Sequence, residues 1–399
     1  MWLALSMWID CGAVPSTPEL RLPPRDGPLA PSAIRFVGSG GALGDIATCS
    51  GCHPDQAAGW STSAHAHASF DNPWYRASVE ALRDEVGRPA SRHCAGCHDP
   101  VLLATGAIEG EVDPADEAAR IGVTCLVCHA VTEVTPDGNA SLVVDLSDLP
   151  LPDPLEREGP RVEAHRARLR PAELASGAVC GACHRGFLDA RTGNATFVSG
   201  LDDLGAHAAS AYRGSRARRV EPAPVARADC VSCHFDGHRF LGGQTALATA
   251  TGQVDAVTRR LAEAVTVYAH AWTDGSDLVV DAMVHNSGTG HTFPGGLADA
   301  QDSWLALEVE GADGERLVTI DDPADPRAHR VRAEVLDETG QPERQHRPHR
   351  IGLVAWDHRV AAGDARVFRT RVLGGAGASP THRTAGSRSR SRGRTESGS

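Results

Sequence analysis

Cys49-Ser50-Gly51-Cys52-His53, Cys94-Ala95-Gly96-Cys97-His98, Cys125-Leu126-Val127-Cys128-His129, Cys180-Gly181-Ala182-Cys183-His184 and Cys230-Val231-Ser232-Cys233-His234 are five copies of one pentapeptide, and they use ten of the 11 cysteines. About 0.01 such match is expected by chance at this composition, so five mark a construction rule. The copies start 45, 31, 55 and 50 residues apart, too irregular for a stacked repeat. Only Cys11 stands outside the pattern.

C-x-x-C-H is the attachment motif of c-type haem: the two thiols form thioethers with the vinyl groups, and the following histidine gives a nitrogen to iron. Each motif then holds one haem, which predicts five covalently attached haem c groups. The attachment residues are Cys49, Cys52, Cys94, Cys97, Cys125, Cys128, Cys180, Cys183, Cys230 and Cys233. The proximal ligands are His53, His98, His129, His184 and His234. Structural zinc also uses C-x-x-C pairs, but it needs two pairs per site and gives no reason for a histidine after every second cysteine. Disulfides fit less well, because a two-residue spacing makes strained local bridges or redox dithiols.

The rest of the composition agrees with bulky prosthetic groups. In 399 residues aromatics make up 5% and methionines number 3, few for a core of this size. Glycine (42) and proline (25) approach one residue in six, favouring loops and short elements. The charge balance of 51 acidic against 39 basic residues, all of the latter arginine, gives a net −12 and argues against a nucleic-acid partner. No apolar run approaches the ~18 residues of a membrane-spanning helix.

The chain divides by texture. Residues 1–11 read as a partial signal or export segment, with Cys11-Gly12 compatible with a lipid anchor and peripheral membrane association, although Asp10 fits lipoprotein processing poorly. Residues 12–44 form a proline-rich leader. Residues 45–250 form the five-haem domain, mostly irregular with short helices: Pro54 starts one, Asp71-Asn72-Pro73 caps another through Arg83, and Asp113-Pro114 caps a third through Arg120. Alternating patterns at Val265–Tyr268, Leu278–Val284, Trp304–Val309, Arg316–Ile320, Ile351–Trp356 and Arg366–Val372 predict an all-β, sandwich-like domain over 251–373. Asp274-Gly275 and Asp313-Gly314 supply its hairpin turns. Residues 374–399 are a low-complexity Ser/Arg/Gly tail expected to be disordered.

These residues resemble the multihaem c-type cytochromes related to cytochrome c-554, and more distantly the hydroxylamine-oxidoreductase class. The resemblance runs over most of 45–310. It is carried by Cys49–Gln56 with Trp60, Ser63 and His65, by Gly122-Val123-Thr124-Cys125, by Cys230–His234 with His238 and Phe240, and by Gly290-His291-Thr292-Phe293-Pro294. A c-554-type protein carries four haems and no appended β domain, so a fifth motif and the C-terminal strands are departures. The resemblance implies His65, His165, His238 and His291 as distal ligands, with His67, His207 and His270 in reserve and His93 at a motif edge. His329, His346, His349, His358 and His382 lie in Arg- and Pro-rich or terminal stretches and are expected on the solvated surface. In the Gly-rich turn around His291, Phe293 is expected on the face of the macrocycle, and a ligating His291 would tie the strand-rich half to the haems.

Two functions follow. Saturated bis-histidine irons suit an electron relay between redox partner proteins, with an acidic surface steering a basic partner. One open iron would instead suit an oxidoreductase acting on a small nitrogen or sulfur compound. Haem attachment implies export, hence a periplasmic or outer-membrane-associated location. No catalytic triad, phosphate loop or dinucleotide fingerprint supports other chemistry.

Overall fold

The computed structural model describes residues 32–194, 196–214, 225–242, 252–311, 314–375 and 387–389. The export segment, Cys11, most of the leader, His382 and most of the tail lie outside the described residues.

The first half is built from short helices and tight turns. Strand β1 (Arg35–Val37) leads to α1 (Ile46–Ser50), α2 (Pro54–Ser61), α3 (Pro73–Glu85), α4 (Arg92–His98), α5 (Pro100–Thr105) and α6 (Cys125–His129). Strands β2 (Val131–Val134) and β3 (Leu142–Asp145) follow, then α7 (Pro160–Arg168), α8 (Ala172–Ser176) and α9 (Ala178–Cys183). The half ends with β4 (Arg185–Leu188), β5 (Val198–Asp202), α10 (Asp203–Ala209) and α11 (Cys230–His234). Helix α12 (Val254–Ala264) opens the second half.

Local chemistry explains the helix starts. Asn72 accepts hydrogen bonds from the Trp74 and Tyr75 amides, and Pro73 occupies the first turn, where its missing N–H costs nothing. Asp45 caps α1 through Thr48, and Asp229 caps α11 through Ser232. The expected helix from Asp113 is only a turn followed by a 3₁₀ segment, Glu117–Arg120. Its residues lack an apolar stripe that could dock a longer helix.

Strands concentrate in the second half as small sheets. β6 (Thr266–Asp274), β7 (Asp277–His285) and β14 (Ala365–Val372) form an antiparallel sheet of order β14-β7-β6, turned at Gly275 in the left-handed region. β8 (Ser303–Leu305) pairs with β11 (His329–Arg330) and β15 (Ser387–Ser389); β9 (Leu307–Glu310) pairs with β10 (Arg316–Ile320); β12 (Ala333–Asp337) pairs with β13 (Ile351–Asp357). The five strands of the first half, together with β11, β12 and β15, have no counterpart in the sequence expectation, being short and only partly alternating.

The apolar interior is divided. One cluster around Leu43, Val127 and Val144 lies beneath the third and fourth motifs, and another around Phe70, Tyr75, Val79 and Ile108 lies beside the second. A third joins the halves: Leu82, Ala90, Leu188 and Val198 pack on Val335 and Ile351, with Cys94 at their edge. Asn194 Nδ2 donates to the Ile351 carbonyl (2.9 Å) and Thr196 Oγ1 to that of Gly352 (2.6 Å). No helix among the described residues is long and apolar enough to cross a membrane.

Candidate functional site

Every C-x-x-C-H copy touches a helix of one or two turns. α4, α6 and α11 contain theirs whole or nearly so, α9 carries Cys180 and Cys183, and α1 carries Cys49. Within such a turn the first and second cysteines, three residues apart, share one side of the helix, and the histidine follows one step around. All ten cysteines are unpaired thiols.

The histidines come together across the fold. His53 faces His165 with ring centres 6.2 Å apart and planes 10° from parallel; His129 faces His238 at 6.1 Å and 25°; His234 faces His291 at 6.1 Å and 20°. His65 faces His184 at 6.2 Å with planes nearly perpendicular. A metal gripped by two imidazole nitrogens at about 2.0–2.1 Å each sets ring centres roughly 6 Å apart. Rings that merely stack here come closer, as in Tyr75 on His98 at 4.3 Å and Trp356 on His358 at 4.4 Å.

Hydrogen bonding fixes the tautomers. Nδ1–H donates to a backbone carbonyl in His98 (Ala68, 2.9 Å), His129 (Leu169, 2.7 Å), His165 (Pro150, 2.9 Å), His234 (Leu241, 2.6 Å) and His291 (Thr292, 2.9 Å). Nε2 is thereby left as a lone-pair donor, the usual outer-shell arrangement of a ligating imidazole. Among the described residues the buried Nδ1 of His238 has no hydrogen-bond partner, and its φ of +71° is a conformation that costs energy for a non-glycine residue. Burial lowers His53, His234 and His238 below the ordinary imidazole range and takes His65 and His98 down to about 4, so these rings are neutral, as metal ligation requires. His184 runs the other way, raised by its contact with Asp203. The Asp203 carboxylate stands 3.7 Å from His184 Nδ1 and 4.0 Å from His291 Nδ1, serving two pairs at once.

The motifs adjoin out of chain order. The Cys49 thiol faces that of Cys125, Cys97 faces Cys183, and Cys180 faces Cys230. The first motif therefore neighbours the third, and the fourth neighbours both the second and the fifth. Among the described residues no group of three or more His, Cys, Asp and Glu side chains converges as a metal-ion site; the imidazoles meet in twos.

His98 differs from the other proximal histidines. Among the described residues no second imidazole stands opposite it at 6 Å; Tyr75 lies flat on its ring, 7° from parallel. The Tyr75 hydroxyl and Ser69 both donate to the buried Asp99 carboxylate.

The pieces of sequence that carry the resemblance act on backbone. Trp60 Nε1 donates to the Val123 carbonyl (2.8 Å), while the Val123 amide donates to the His65 carbonyl (2.8 Å) and that of Gly122 to Ala66 (3.1 Å). A β-carbon on Gly122 would collide with the His65 carbonyl oxygen. Trp60, Gly122 and the third motif thus position His65 for the fourth. At the other end, Asn286 Nδ2 and Thr289 Oγ1 donate to the His291 carbonyl (2.8 and 2.7 Å), and glycine at 295 leaves room for the His291 ring.

Several expectations need correction. Phe293 does not lie beside its histidine: it is buried in the apolar cluster of the second half with Val284, Leu305, Val360 and Phe368, because its backbone bridges to Val360. His67 is held by Asp71 (2.7 Å) and the Ser61 carbonyl (3.1 Å), leaving no nitrogen for a metal. His207 Nε2 bonds the Ala228 carbonyl (2.9 Å), and His270 stacks on Trp272. The expected surface histidines are integrated instead. His329 bonds Thr370, His346 bonds Asp299, His349 bonds Glu85 across the two halves, and His358 stacks on Trp356, since the strands fold these polar stretches inward.

Comparisons with known proteins agree with this geometry. Residues 48–130 match the family described as cytochrome c554 and c-prime. Over 83% of this chain and 88% of the other, the fold is similar to that of a penta-heme cytochrome c552 from Thermochromatium tepidum, at 21% identity and a TM-score of 0.54. No protein with a curated description matches the chain. Together the segment and the fold support a multihaem c-type cytochrome.

Proposed function

We propose that the chain is a five-haem electron carrier working outside the cytoplasm. The observation that carries this reading is the set of four imidazole pairs at 6.1–6.2 Å, each joining a motif histidine to one of His65, His165, His238 and His291. Each pair would hold one haem iron on both faces, with thioethers to the neighbouring cysteines. The haem supplies a one-electron couple, and an iron saturated by two imidazoles changes charge with little rearrangement. The adjoining motifs would bring the haems close enough to pass electrons in succession. The strand-rich half, read as a sandwich-like module, buttresses the relay through His291 and the Leu82–Ile351 cluster. Redox proteins with basic docking faces are the partners that a net charge of −12 would steer at low salt, and a lipid-modified Cys11 would keep the carrier at a membrane surface. Intact mass with a pyridine-haemochrome assay on protein matured in a competent host tests it: five haems per chain are expected, and fewer than five would overturn the count.

A second reading is favoured by one observation, the absence among the described residues of an imidazole opposite His98 at ligating distance. In this reading the second haem keeps an open coordination position and takes a small nitrogen or sulfur compound, the other four haems feeding or draining it. A high-spin signal from one haem in the oxidised protein separates the two readings.

A further inference from the structure

The sheet β14-β7-β6 has two edges, and they are built differently. The β14 edge carries Arg366, Arg369 and Arg371, charges of the kind that keep an edge strand from pairing with another chain. The β6 edge, Thr266-Val267-Tyr268-Ala269-His270-Ala271-Trp272-Thr273-Asp274, has no arginine and no proline, and it runs beside β7 over its whole length without a bulge. Its one acidic residue, Asp274, is neutralised by Arg371 (2.5 Å). Among the described residues no strand lies on its other side. A bare edge about 30 Å long is a template for a further strand.

The turn settles which backbone groups are bare. A two-residue turn, here Gly275-Ser276, makes its flanking residues Asp274 and Asp277 a hydrogen-bonded pair, so by alternation Trp272, His270 and Tyr268 direct their amides and carbonyls at β7. Those of Val267, Ala269, Ala271 and Thr273 point away from it. Val267 and Ala271 pack into the interior clusters on one face, yet Ala269 between them is exposed. On the opposite face Tyr268 is 48% exposed.

The strand is close to a palindrome about His270, with alanine at 269 and 271, an aromatic ring at 268 and 272, and Val267 balancing Thr273. Laid antiparallel on a second copy in that register, the bare groups of Val267 meet those of Thr273 and the bare groups of Ala269 meet those of Ala271. That makes a ladder of about eight hydrogen bonds with no bare group left over. A one-residue slip would put groups already bonded to β7 on the seam, and a longer slip would leave an overhang. The same register sets Tyr268 opposite Trp272 of the second copy, beside the stack that Trp272 makes with His270 (ring centres 5.6 Å apart).

We propose that β6 is the contact between two copies of this chain, joined antiparallel about His270 into one continuous six-stranded sheet. The seam is about 30 Å long and about 10 Å thick, roughly 600 Å² over both copies, and the side chains on its two faces bring it toward the low end of specific interfaces, near 1,000 Å². Association in the micromolar range is the expected strength. Thr266 Oγ1 lies 2.9 Å from Ser287 Oγ, and Arg260 donates to the Cys233 carbonyl (3.1 Å), so the fifth motif adjoins the start of β6. In the pair the two fifth motifs lie at opposite ends of the seam, and each copy keeps its own set of haems.

The test follows the full haem-loaded protein by sedimentation equilibrium across the micromolar range, with hydrogen exchange of the peptide 266–274 read at both ends of that range. Wild type, Ala269→Pro, Tyr268→Ser and Val367→Arg are compared. Proline at 269 deletes an outward N–H and no bond to β7, a position that edge strands tolerate. Tyr268→Ser alters no backbone group and keeps the test valid if the proline disturbs the strand. Unchanged haem content and circular dichroism establish folding. The wild type is expected to dimerise with concentration, the amides of Val267, Ala269, Ala271 and Thr273 slowing only as the dimer forms. Association should weaken at least about 100-fold in Ala269→Pro and roughly 5- to 50-fold in Tyr268→Ser. Val367, 56% exposed on β14 and two strands from the seam, should tolerate arginine with no change in association. A wild type that stays monomeric would overturn the proposal, and amides slow at every dilution would mean that the chain covers its own edge. A dimer weakened by Val367→Arg and untouched by Ala269→Pro would put the contact on the face of the sheet and overturn edge pairing as well.

Discussion

Replacing His291 by alanine removes one ring from one of four imidazole pairs and leaves the thioether cysteines and His234 in place. The low-spin signal should lose the contribution of one haem, the one held by His234, and the high-spin signal should gain one. The change should stay local, because the two halves are joined elsewhere. Leu82, Ala90, Leu188 and Val198 remain packed on Val335 and Ile351, the Asn194 and Thr196 hydrogen bonds reach β13, and Glu85 still receives His349 and Arg350. Each hydrogen bond of this kind contributes about 1 kcal/mol, and each buried aliphatic side chain about 1.5–3 kcal/mol, so their sum exceeds what one ligand bond would add to docking. The assay is quantitative electron-paramagnetic resonance of the oxidised protein with limited proteolysis alongside, read near residues 252–262. Proteolysis should be unchanged while the spectrum changes. An unaltered low-spin spectrum would refute the ligand assignment, whatever the protease pattern.

Three further outcomes follow from the geometry. Asp203→Asn removes the negative charge shared by His184 and His291; at an effective dielectric near 20 and roughly 8 Å to each iron, discounted for partial solvent access, this is about 1–2 kcal/mol, or roughly 40–90 mV. Two haems should become easier to reduce in a spectroelectrochemical titration, and two unmoved potentials would remove Asp203 from the ligand environment. Gly122→Ala places a methyl against the His65 carbonyl, so the backbone that carries His65 must shift; the haem held by His184 should lose low-spin intensity while the His53 and His129 haems keep theirs, and a wild-type spectrum would show the contact to be unimportant. Leu82→Ala empties a fully buried position between the halves and should cost about 2–5 kcal/mol in a denaturant titration with haem content unchanged; a loss below about 1 kcal/mol would mean that the interface collapses around it.

What the sequence disclosed depended on how local the signal was. The five pentapeptides are complete within five residues, so the thiols and proximal histidines could be read directly. The distal histidines were reached through a resemblance, because His165 is 112 positions from its partner His53, and nothing in its neighbourhood says where its ring will point. Long alternating runs such as Leu278–Val284 announced β7, but four-residue strands such as Arg185–Leu188 gave too few alternations to be seen. His346 was misjudged for a physical reason: Gln345-His346-Arg347 looks solvated in one dimension, and only the fold brings Asp299 and Ser78 to it. Asp203 had no sequence signal at all, since its importance lies in standing between two rings from different motifs.

The facing thiols have a consequence for assembly. Three pairs, Cys49 with Cys125, Cys97 with Cys183 and Cys180 with Cys230, join cysteines that belong to different pentapeptides. In an oxidising compartment each pair could surrender two electrons and two protons to an oxidant and close a cross-link before its porphyrins arrive, and six of the ten attachment sulfurs would then be spent. A chain that reached its compact shape early would be most exposed to this, because compaction is what brings those sulfurs together. Attachment on an extended chain, with folding afterwards, would avoid this loss, so the geometry that serves the finished molecule would set a deadline for making it.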